Sequence, residues 1–266
     1  MQIEALLHSD VDSMSELQPD GWDDITSKIV FYLQSSFCFP IKVVIDHQIA
    51  GIGAAIIHND VAWLGHIIVR KDWRGNGIGM MLTKKLVEIA KKKNCTTINL
   101  VATTLGQPVY EKTGFETQTE YLFFKDLQVK NQPINRENIY ACGEKHIPDV
   151  LSLDKITSGE ERLCETKDHL AKGFAYCNEN KVEGFYLPTL GEGLLIASNP
   201  VAGIELLKLH LQTHNKVVLP INNVTGCSFL YAHGYKEYSI AKRMTLGIKR
   251  QVHYQNIYNR IAGNIG

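Results

Sequence analysis

The stretch that most constrains this chain is residues 66–79, His-Ile-Ile-Val-Arg-Lys-Asp-Trp-Arg-Gly-Asn-Gly-Ile-Gly. It begins as a strand over 67–69 and ends in a loop carrying Gly75, Gly77 and Gly79. A helix follows at once, with Ile78, Met81, Leu82, Leu86, Ile89 and Ala90 at the spacing of one face. Strand, glycine loop and helix in that order build an anion site. The first N–H groups of the helix have no intrahelical partner, and the helix dipole favours negative charge there. Glycine lets the backbone approach a phosphate where a Cβ would block it. Two familiar phosphate loops are excluded. A Gly-x-Gly-x-x-Gly fingerprint would need glycine at Met80, and a Gly-Lys-Ser/Thr loop is ruled out because Met80 and Met81 follow Gly79. The plain alternative is a glycine-rich turn that binds nothing.

Around this stretch the chain reads as alternating strands and helices. Upstream, 3–7 reads as a short strand. Asp10 or Asp12 can cap a helix to about Leu17, Pro19-Asp20-Gly21 breaks it, and Ile25, Ile29, Tyr32 and Leu33 space out a second helix. Runs at 41–45, 49–57 and 61–69 are separated by Asp46-His47-Gln48 and His58-Asn59-Asp60, both rich in turn formers, which predicts an antiparallel meander. Downstream come a strand at 97–102, a short helix over 103–112 closed by Gly114, and a strand region at 115–125. A polar stretch with Pro133 then reads as a linker or crossover.

The second half repeats the order of the first. Helices are expected at 147–156 and 160–171, and strands at 173–177 and 182–187 around a turn at 178–180. The run 193–200 leads into a helix at 202–211. A strand at 216–220, a short helix ending at Ala232-His-Gly-Tyr235 and a strand at 239–246 complete it. Here Ser198-Asn-Pro-Val-Ala-Gly203 stands in the loop position. It has no arginine, and Pro200 has no N–H to give.

A chain of 266 residues suits one large domain or two of ordinary size. Its 28 Lys and Arg balance 28 Asp and Glu, which gives no sign of a nucleic-acid surface or a polybasic membrane patch. No apolar run is long enough to span a bilayer, and residues 1–7 lack the basic start and cleavage site of a secretory leader. Cys38, Cys95, Cys142, Cys164, Cys177 and Cys227 show no Cys-x-x-Cys spacing. They read as reduced packing thiols of a cytoplasmic protein, with no metal site expected.

Ile67-x-Val69 followed by Arg74-x-x-Gly77-x-Gly79 resembles the pyrophosphate loop of the GNAT superfamily of acyl-CoA N-acyltransferases. The family pattern is Leu-x-Val-x-Pro-x-x-Arg/Gln-Gly-x-Gly-x-Gly/Ala, and this chain departs from it in having Lys71 where proline is usual. Pro108-Val-Tyr-Glu-Lys-Thr-Gly-Phe115 also resembles the family, which carries Tyr-x-x-x-Gly-Phe there, although Thr103 and Gly106 stand where Asn and Ala are frequent. The resemblance is strong across residues 3–125. The second half resembles the degenerate C-terminal domain found behind some bacterial GNAT domains, with Ala232-His-Gly-Tyr235 answering Lys112-Thr-Gly-Phe115.

The resemblance implies an α/β (α+β) chain with two GNAT-like domains, each a mixed, mostly antiparallel central sheet flanked by helices. The domains would be 1–126, binding acetyl-CoA, and 139–249, degenerate, with a linker at 127–138 and a tail at 250–266. It implies an N-acetyltransferase that moves an acetyl group to the amine of a small molecule, with no metal, nucleic acid or membrane partner. The rival readings are a CoA-binding regulatory module without catalysis and an interaction protein using only the fold.

By the same resemblance, the backbone of Ile67, Ile68 and Val69 would hold pantetheine at a bulge and polarise the acetyl carbonyl. Gly75, Asn76, Gly77, Ile78 and Gly79 would hold the pyrophosphate, flanked by Arg74, and Tyr110 would protonate the departing thiolate. Trp22 is either an acceptor wall or a packing aromatic. Strand alternation puts Trp63, Gly65, Ile67 and Val69 on one face, and neither Trp63 nor Gly65 can take a proton. His66 could, but it points the other way unless a bulge intervenes. A water relay, or a base from the second domain or tail, stands beside it.

Overall fold

A computed structural model describes residues 1–22, 24–127, 133–179 and 181–266. Part of the expected linker, residues 128–132, lies outside the described residues, as do Asp23 and the last residue of the expected turn at 178–180.

In chain order the elements begin with β1 (Gln2–Ala5), a run of 3-10 turns (His8–Leu17), α1 (Thr26–Gln34), β2 (Cys38–Ile45), β3 (Gln48–His58) and β4 (Val61–Val69). Next are α2 (Ile78–Lys92), β5 (Thr97–Ala102), α3 (Gln107–Lys112) and β6 (Glu116–Phe124). The second series is β7 (Ile139–Ala141), α4 (Ile147–Ser158), α5 (Leu163–Leu170), β8 (Phe174–Asn178), β9 (Lys181–Leu187), β10 (Leu194–Ala197), α6 (Pro200–Leu211), β11 (Val217–Pro220), α7 (Val224–Ala232) and β12 (Ser239–Gly247). One further strand, β13 (Ile257–Asn259), follows. The two series share one order, strand, two helical segments, three strands, helix, strand, helix, strand; the sequence pattern predicts the repeat from α4 onward and misses β7.

The chain divides into two compact units. The first holds Met1–Thr117, Arg243–Lys249 and Gly263–Gly266. The second holds Gln118–Lys242 and Arg250–Ala262. In the first, β1 to β4 pair antiparallel in sequence order, with the tight Asp46-His47 and Asn59 turns made by residues at positive φ. β5 then joins β4 in parallel, and β12 lies beyond β5. The β4-to-β5 connection is parallel because α2 carries the chain back across the sheet.

α2 forms because its apolar residues repeat at helical spacing. Ile78, Leu82, Leu86 and Ala90 are all buried, and they meet Val43, Ala55, Ala62, Leu64, Ile98 and Leu100 from the strands. Lys91 and Lys92 sit in its last turn, where positive charge complements the carbonyl end. In the second unit, β13, β10, β9, β8 and β7 make a five-stranded antiparallel sheet, and β11 pairs with residues 121–124 of β6. Its core gathers Tyr186, Leu195, Leu206, Leu207, Leu219, Leu230 and Tyr258. Five of the six cysteines are buried and none is in a disulfide, so they pack as small apolar groups.

Leu86 is fully buried and ties α2 to the strand layer. Leu86→Ala should cost about 2–5 kcal/mol in a urea titration. Lys84→Ala, on the exposed side of the same helix, should change stability by less than about 0.5 kcal/mol. Equal losses would show that this helix face is not core.

Candidate active site

The site is organised by one irregularity. Ile52 of β3 pairs with Ile68 and Ala54 pairs with Gly65, so Gly53 alone faces His66 and Ile67. Two residues opposite one is a β-bulge, and His66 takes the left-handed conformation at φ +49 that the bulge demands. Gly53 suits its place, because a Cβ there would lie 2.9 Å from Leu86 Cδ1 and 3.3 Å from Ile67 Cγ1.

The bulge overturns the expected alternation. Ala62 and Leu64 face the α2 core, and past the bulge it is Ile67 and Val69 that do so. Trp63 and Gly65 face the other way, and His66 joins them there. Ile67 and Val69 therefore do not share a face with Trp63 and Gly65, because one extra residue flips the parity of everything downstream. The parallel pairs of β4 with β5 run from Val61↔Thr97 to Leu64↔Leu100, so residues 65–69 lie past that stretch.

His66 sits among aromatic groups from α1 and the preceding loop. Its Nδ1 lies 2.6 Å from Tyr32 Oη, and the rings are 5.4 Å apart. Trp22, 45% exposed, meets it edge-on at 6.1 Å, so Trp22 is not a core residue. Burial, with Lys28 nearby, pushes the His66 pKa down to about 4, and the ring is neutral at pH 7. The segment Gly263–Gly266 belongs to the same unit. Asn264 Nδ2 donates to Tyr32 Oη at 2.8 Å, and Gly65 lets Asn264 approach, since a Cβ there would fall 2.4 Å from Asn264 Cβ. In the sequence Tyr32 reads only as a helix marker, and nothing signals Asn264, whose role depends on a contact 232 residues away.

At the end of β4 the chain turns through Lys71–Trp73 into the glycine loop. Arg74 Nε donates to Val69 O at 3.1 Å, and Asn76 Nδ2 to Trp73 O at 3.2 Å, so both side chains brace the loop. Gly75 and Gly77 have φ of +84 and +77, with no atom within 4 Å of where a Cβ would be. Gly77 is the residue before α2, and no side chain caps the helix there. N–H groups without a side-chain cap, at an exposed loop of left-handed glycines, leave the start of α2 open to an anionic group. Ile78 is buried and can offer only its backbone, as can Gly75, Gly77 and Gly79.

Tyr110, on α3, is nearly buried against Phe115. Gly106 makes room for it, since a Cβ there would sit 2.8 Å from the ring. Burial pushes its pKa up to about 12, so the hydroxyl keeps its proton.

The second unit treats the same positions differently. The helix after β10 is capped by Asn199, whose Oδ1 accepts from Val201 N–H at 2.8 Å. Its first turn is covered by Tyr258, which a Cβ on Gly203 would meet at 2.1 Å. Beside β10, where the first unit has β5 directly beside β4, lies β13. It continues to β11: Arg260 N–H donates to Val218 O at 3.1 Å, and Val218 N–H to Asn259 Oδ1 at 2.8 Å. The slot between these two strands is filled by the chain itself.

The Acetyltransferase (GNAT) family model matches residues 3–115. Those residues form a GNAT domain. The family supports acetyl transfer as the class of reaction. A Bacillus subtilis (strain 168) protein, the uncharacterized YyaT, is 31% identical over 83 residues, which is 31% of this chain and 56% of that protein, so the match spans about half of the relative's length.

Among solved structures, a candidate acetyltransferase from Pyrococcus horikoshii superposes over 100% of this chain and 95% of its own, with TM-score 0.83 and 21% identity. A tandem GNAT protein from the clavulanic acid biosynthesis pathway covers 94% of this chain and 99% of its own, with TM-score 0.58 and 12% identity. A GCN5-related N-acetyltransferase from Anabaena variabilis gives TM-score 0.58 at 10% identity, over 92% and 72%. The fold is thus the two-domain, tandem GNAT architecture, a mixed α/β fold with mostly antiparallel sheets flanked by helices. Among the described residues, no helix is long and apolar enough to cross a membrane, and no group of three or more His, Cys, Asp or Glu is placed to hold a metal ion.

The depressed His66 pKa has a stability consequence. Between pH 6.5 and about 4 the unfolded chain binds a proton that the folded chain refuses, so stability is full above pH 6.5 and falls as pH drops through that window. The loss assigned to His66 is on the order of 3 kcal/mol. Urea titrations of wild type and His66→Gln at pH 7.5 and 4.5 should show a smaller pH loss in the variant. Equal losses would mean that the ring titrates normally.

Proposed function

We propose that the first unit transfers an acetyl group from acetyl-CoA to the amine of a small molecule. The observation that carries this reading is the uncapped glycine cradle at the start of α2, coming straight after a bulged strand whose pairing with β5 ends at Leu64. In this proposal the loop 74–79 holds the pyrophosphate. Backbone groups of Ile67, Ile68 and Val69 align the pantetheine arm and polarise the thioester carbonyl. The amine nitrogen attacks the carbonyl carbon, the C–S bond breaks, the sulfur leaves with the bonding pair, and the nitrogen sheds one N–H proton to solvent, which balances the charge of the thiolate. Tyr110 faces that charge.

Proton affinity limits what Tyr110 does. A thiol of ordinary pKa, near 8.5, is a stronger acid than a phenol at about 12, so complete transfer to the thiolate is uphill by roughly 5 kcal/mol. Tyr110 therefore acts mainly by hydrogen bonding to the developing thiolate, an interaction stronger in the transition state than in the bound substrate. That role speaks for an enzyme over a binding module. Trp22 forms one wall of the acceptor side. The second unit, with its capped α6 and filled strand slot, has no cofactor site of its own in this reading.

Three outcomes test this. Calorimetry with acetyl-CoA should give one site per chain, and Gly77→Glu should abolish binding by filling the cradle and placing a carboxylate against the phosphate. Two equivalent sites, or unchanged affinity in the variant, would sink the proposal. Tyr110→Phe should lower kcat about 10- to 1000-fold while acetyl-CoA binds nearly as before. Unchanged turnover in an assay limited by chemistry would remove Tyr110 from the reaction. Finally, kcat/KM should rise with pH in step with the neutral fraction of the acceptor amine and show no limb near pH 6.5, because His66 is already neutral there. A limb at that pH, absent in His66→Gln, would restore His66 as the base.

A further inference from the structure

We infer that the cavity at the end of β4 binds a carboxylate of the acceptor through Arg70, so that the acceptor is an amino acid whose carboxylate stands well away from its amine, an ω-amino acid or a short peptide. The inference rests on the acetyl-transfer reading for where the amine sits. The cavity measures about 520 Å³, and Glu16, Gln18, Gln48, Arg70, Asp72 and Arg74 are among its walls, all within the first unit. Past the bulge, Ile67 and Val69 pack into the α2 core, so Ile68 and Arg70 take the face to which the bulge brings His66. Gln18 Nε2 donates to Trp22 O at 3.0 Å, so the segment that walls the cavity is the one that carries Trp22 to His66.

The charges of the cavity are ordered by depth. Arg70 is the cation held inside, its side chain 17% exposed, while Glu16 and Asp72 stand at the mouth, 63% and 79% exposed. Water screens the two carboxylates far more than the guanidinium. Arg70 Nη2 donates to Gln48 Oε1 at 2.8 Å, which fixes the group in place, and Nη1 meets Glu16 at 3.3 Å. An exposed ion pair of that kind contributes little, so a ligand carboxylate can take the place of Glu16. Arg70 Nε has no hydrogen-bond partner, since Asp72 Oδ2 is 3.7 Å away. Lys71 is already taken up by Asp20 at 2.6 Å. A cationic floor under an acidic mouth suits a zwitterion: the mouth attracts the ammonium end and repels a dianionic phosphate, and the planar guanidinium fits a carboxylate.

Distance sets the class of amino acid. From Ile67 to Arg70 the extended chain covers roughly 10 Å. Gln48, which holds the guanidinium, lies past Gly51, the partner of Val69, on the side away from the bulge. The guanidinium is therefore at the far end of the strand, out of reach of the carboxylate of an α-amino acid whose amine sits at the bulge.

Binding is read on the wild type from the Arg70 Nε–H signal in proton–nitrogen spectra of the 15N-labelled protein with CoA bound, assigned by its loss in Arg70→Lys. Aminocaproate should shift that signal saturably, and its neutral amide should not. No shift with the acid, or equal shifts with both, overturns the inference whether or not the protein transfers acetyl groups. In turnover, kcat/KM for aminocaproate should exceed that for the amide roughly 10-fold or more, and should exceed that for glycine. Arg70→Gln should remove the preference by lowering the acid alone, with the amide within about twofold, and Arg70→Lys, which keeps the charge and loses the fork, should fall between. A preference for glycine, or an acid-to-amide ratio unchanged in Arg70→Gln, overturns the inference. Arg70→Gln should also leave the KM of acetyl-CoA and of acetyl-dephospho-CoA alike; a loss confined to acetyl-CoA gives the cavity to the cofactor's ribose phosphate and overturns it too. If the wild type acetylates no amine while the acid still titrates Arg70, the functional proposal fails and the carboxylate site stands.

Discussion

Everything at this site depends on the mismatch of one residue between β3 and β4. A β-strand presents alternate side chains to opposite faces, so a strand lining both a core and a cleft can offer the cleft only every second residue. The extra residue at His66–Ile67 breaks that rule at the point where it matters. It keeps Ala62 and Leu64 in the core before it and Ile67 and Val69 in the core after it, while Gly65 and His66, neighbours in sequence, both reach the other face. Holding a non-glycine residue at φ +49 is conformationally costly. The compensation lies in the packed ring of His66 and its short bond to Tyr32.

The fold was largely legible in the sequence, because its signals are local. The spacing of Ile78, Leu82, Leu86 and Ala90 gives α2, the turn formers at 46–48 and 58–60 give the meander, and Gly114 at φ +91 closes α3 as a C-terminal glycine does. Repetition of the same order in the second half was legible for the same reason. The glycine cradle was legible too, since glycine at 75 and 77 is the residue type that left-handed backbone favours. The face assignment past Gly65 failed because alternation assumes an unbroken register: the family resemblance implied a bulge near Ile67, but the residue types at His66-Ile67 do not show where the extra residue falls. Histidine at positive φ has no glycine or asparagine signature to betray it. Asn264 could not be found at all, since an asparagine near glycines in an apolar tail looks like any turn residue until the chain has folded.

The two units show how one order of elements can give opposite outcomes at its strand slot. After β4 the chain places glycines at positive φ and leaves the helix start without a side-chain cap. After β10 it places Asn199 and Pro200, which satisfy or delete the N–H groups that an anion would need. The backbone groups facing the slot between β10 and β11 must also find partners, because a buried unpaired amide costs about as much as a lost hydrogen bond. β13 supplies them, with Asn259 and Arg260 bonding to both sides of Val218. A strand of the same protein is a permanent occupant, and an extended ligand arm pairing with strand backbone is a removable one. The same physical need for partners is therefore met once by the fold and, in the proposed reaction, once by the substrate. This is why the loss of the cradle and the filling of the slot belong together: a slot with no cradle to draw in an anionic ligand would otherwise stay open to water in the middle of a core that buries Tyr258, Leu195 and Leu219.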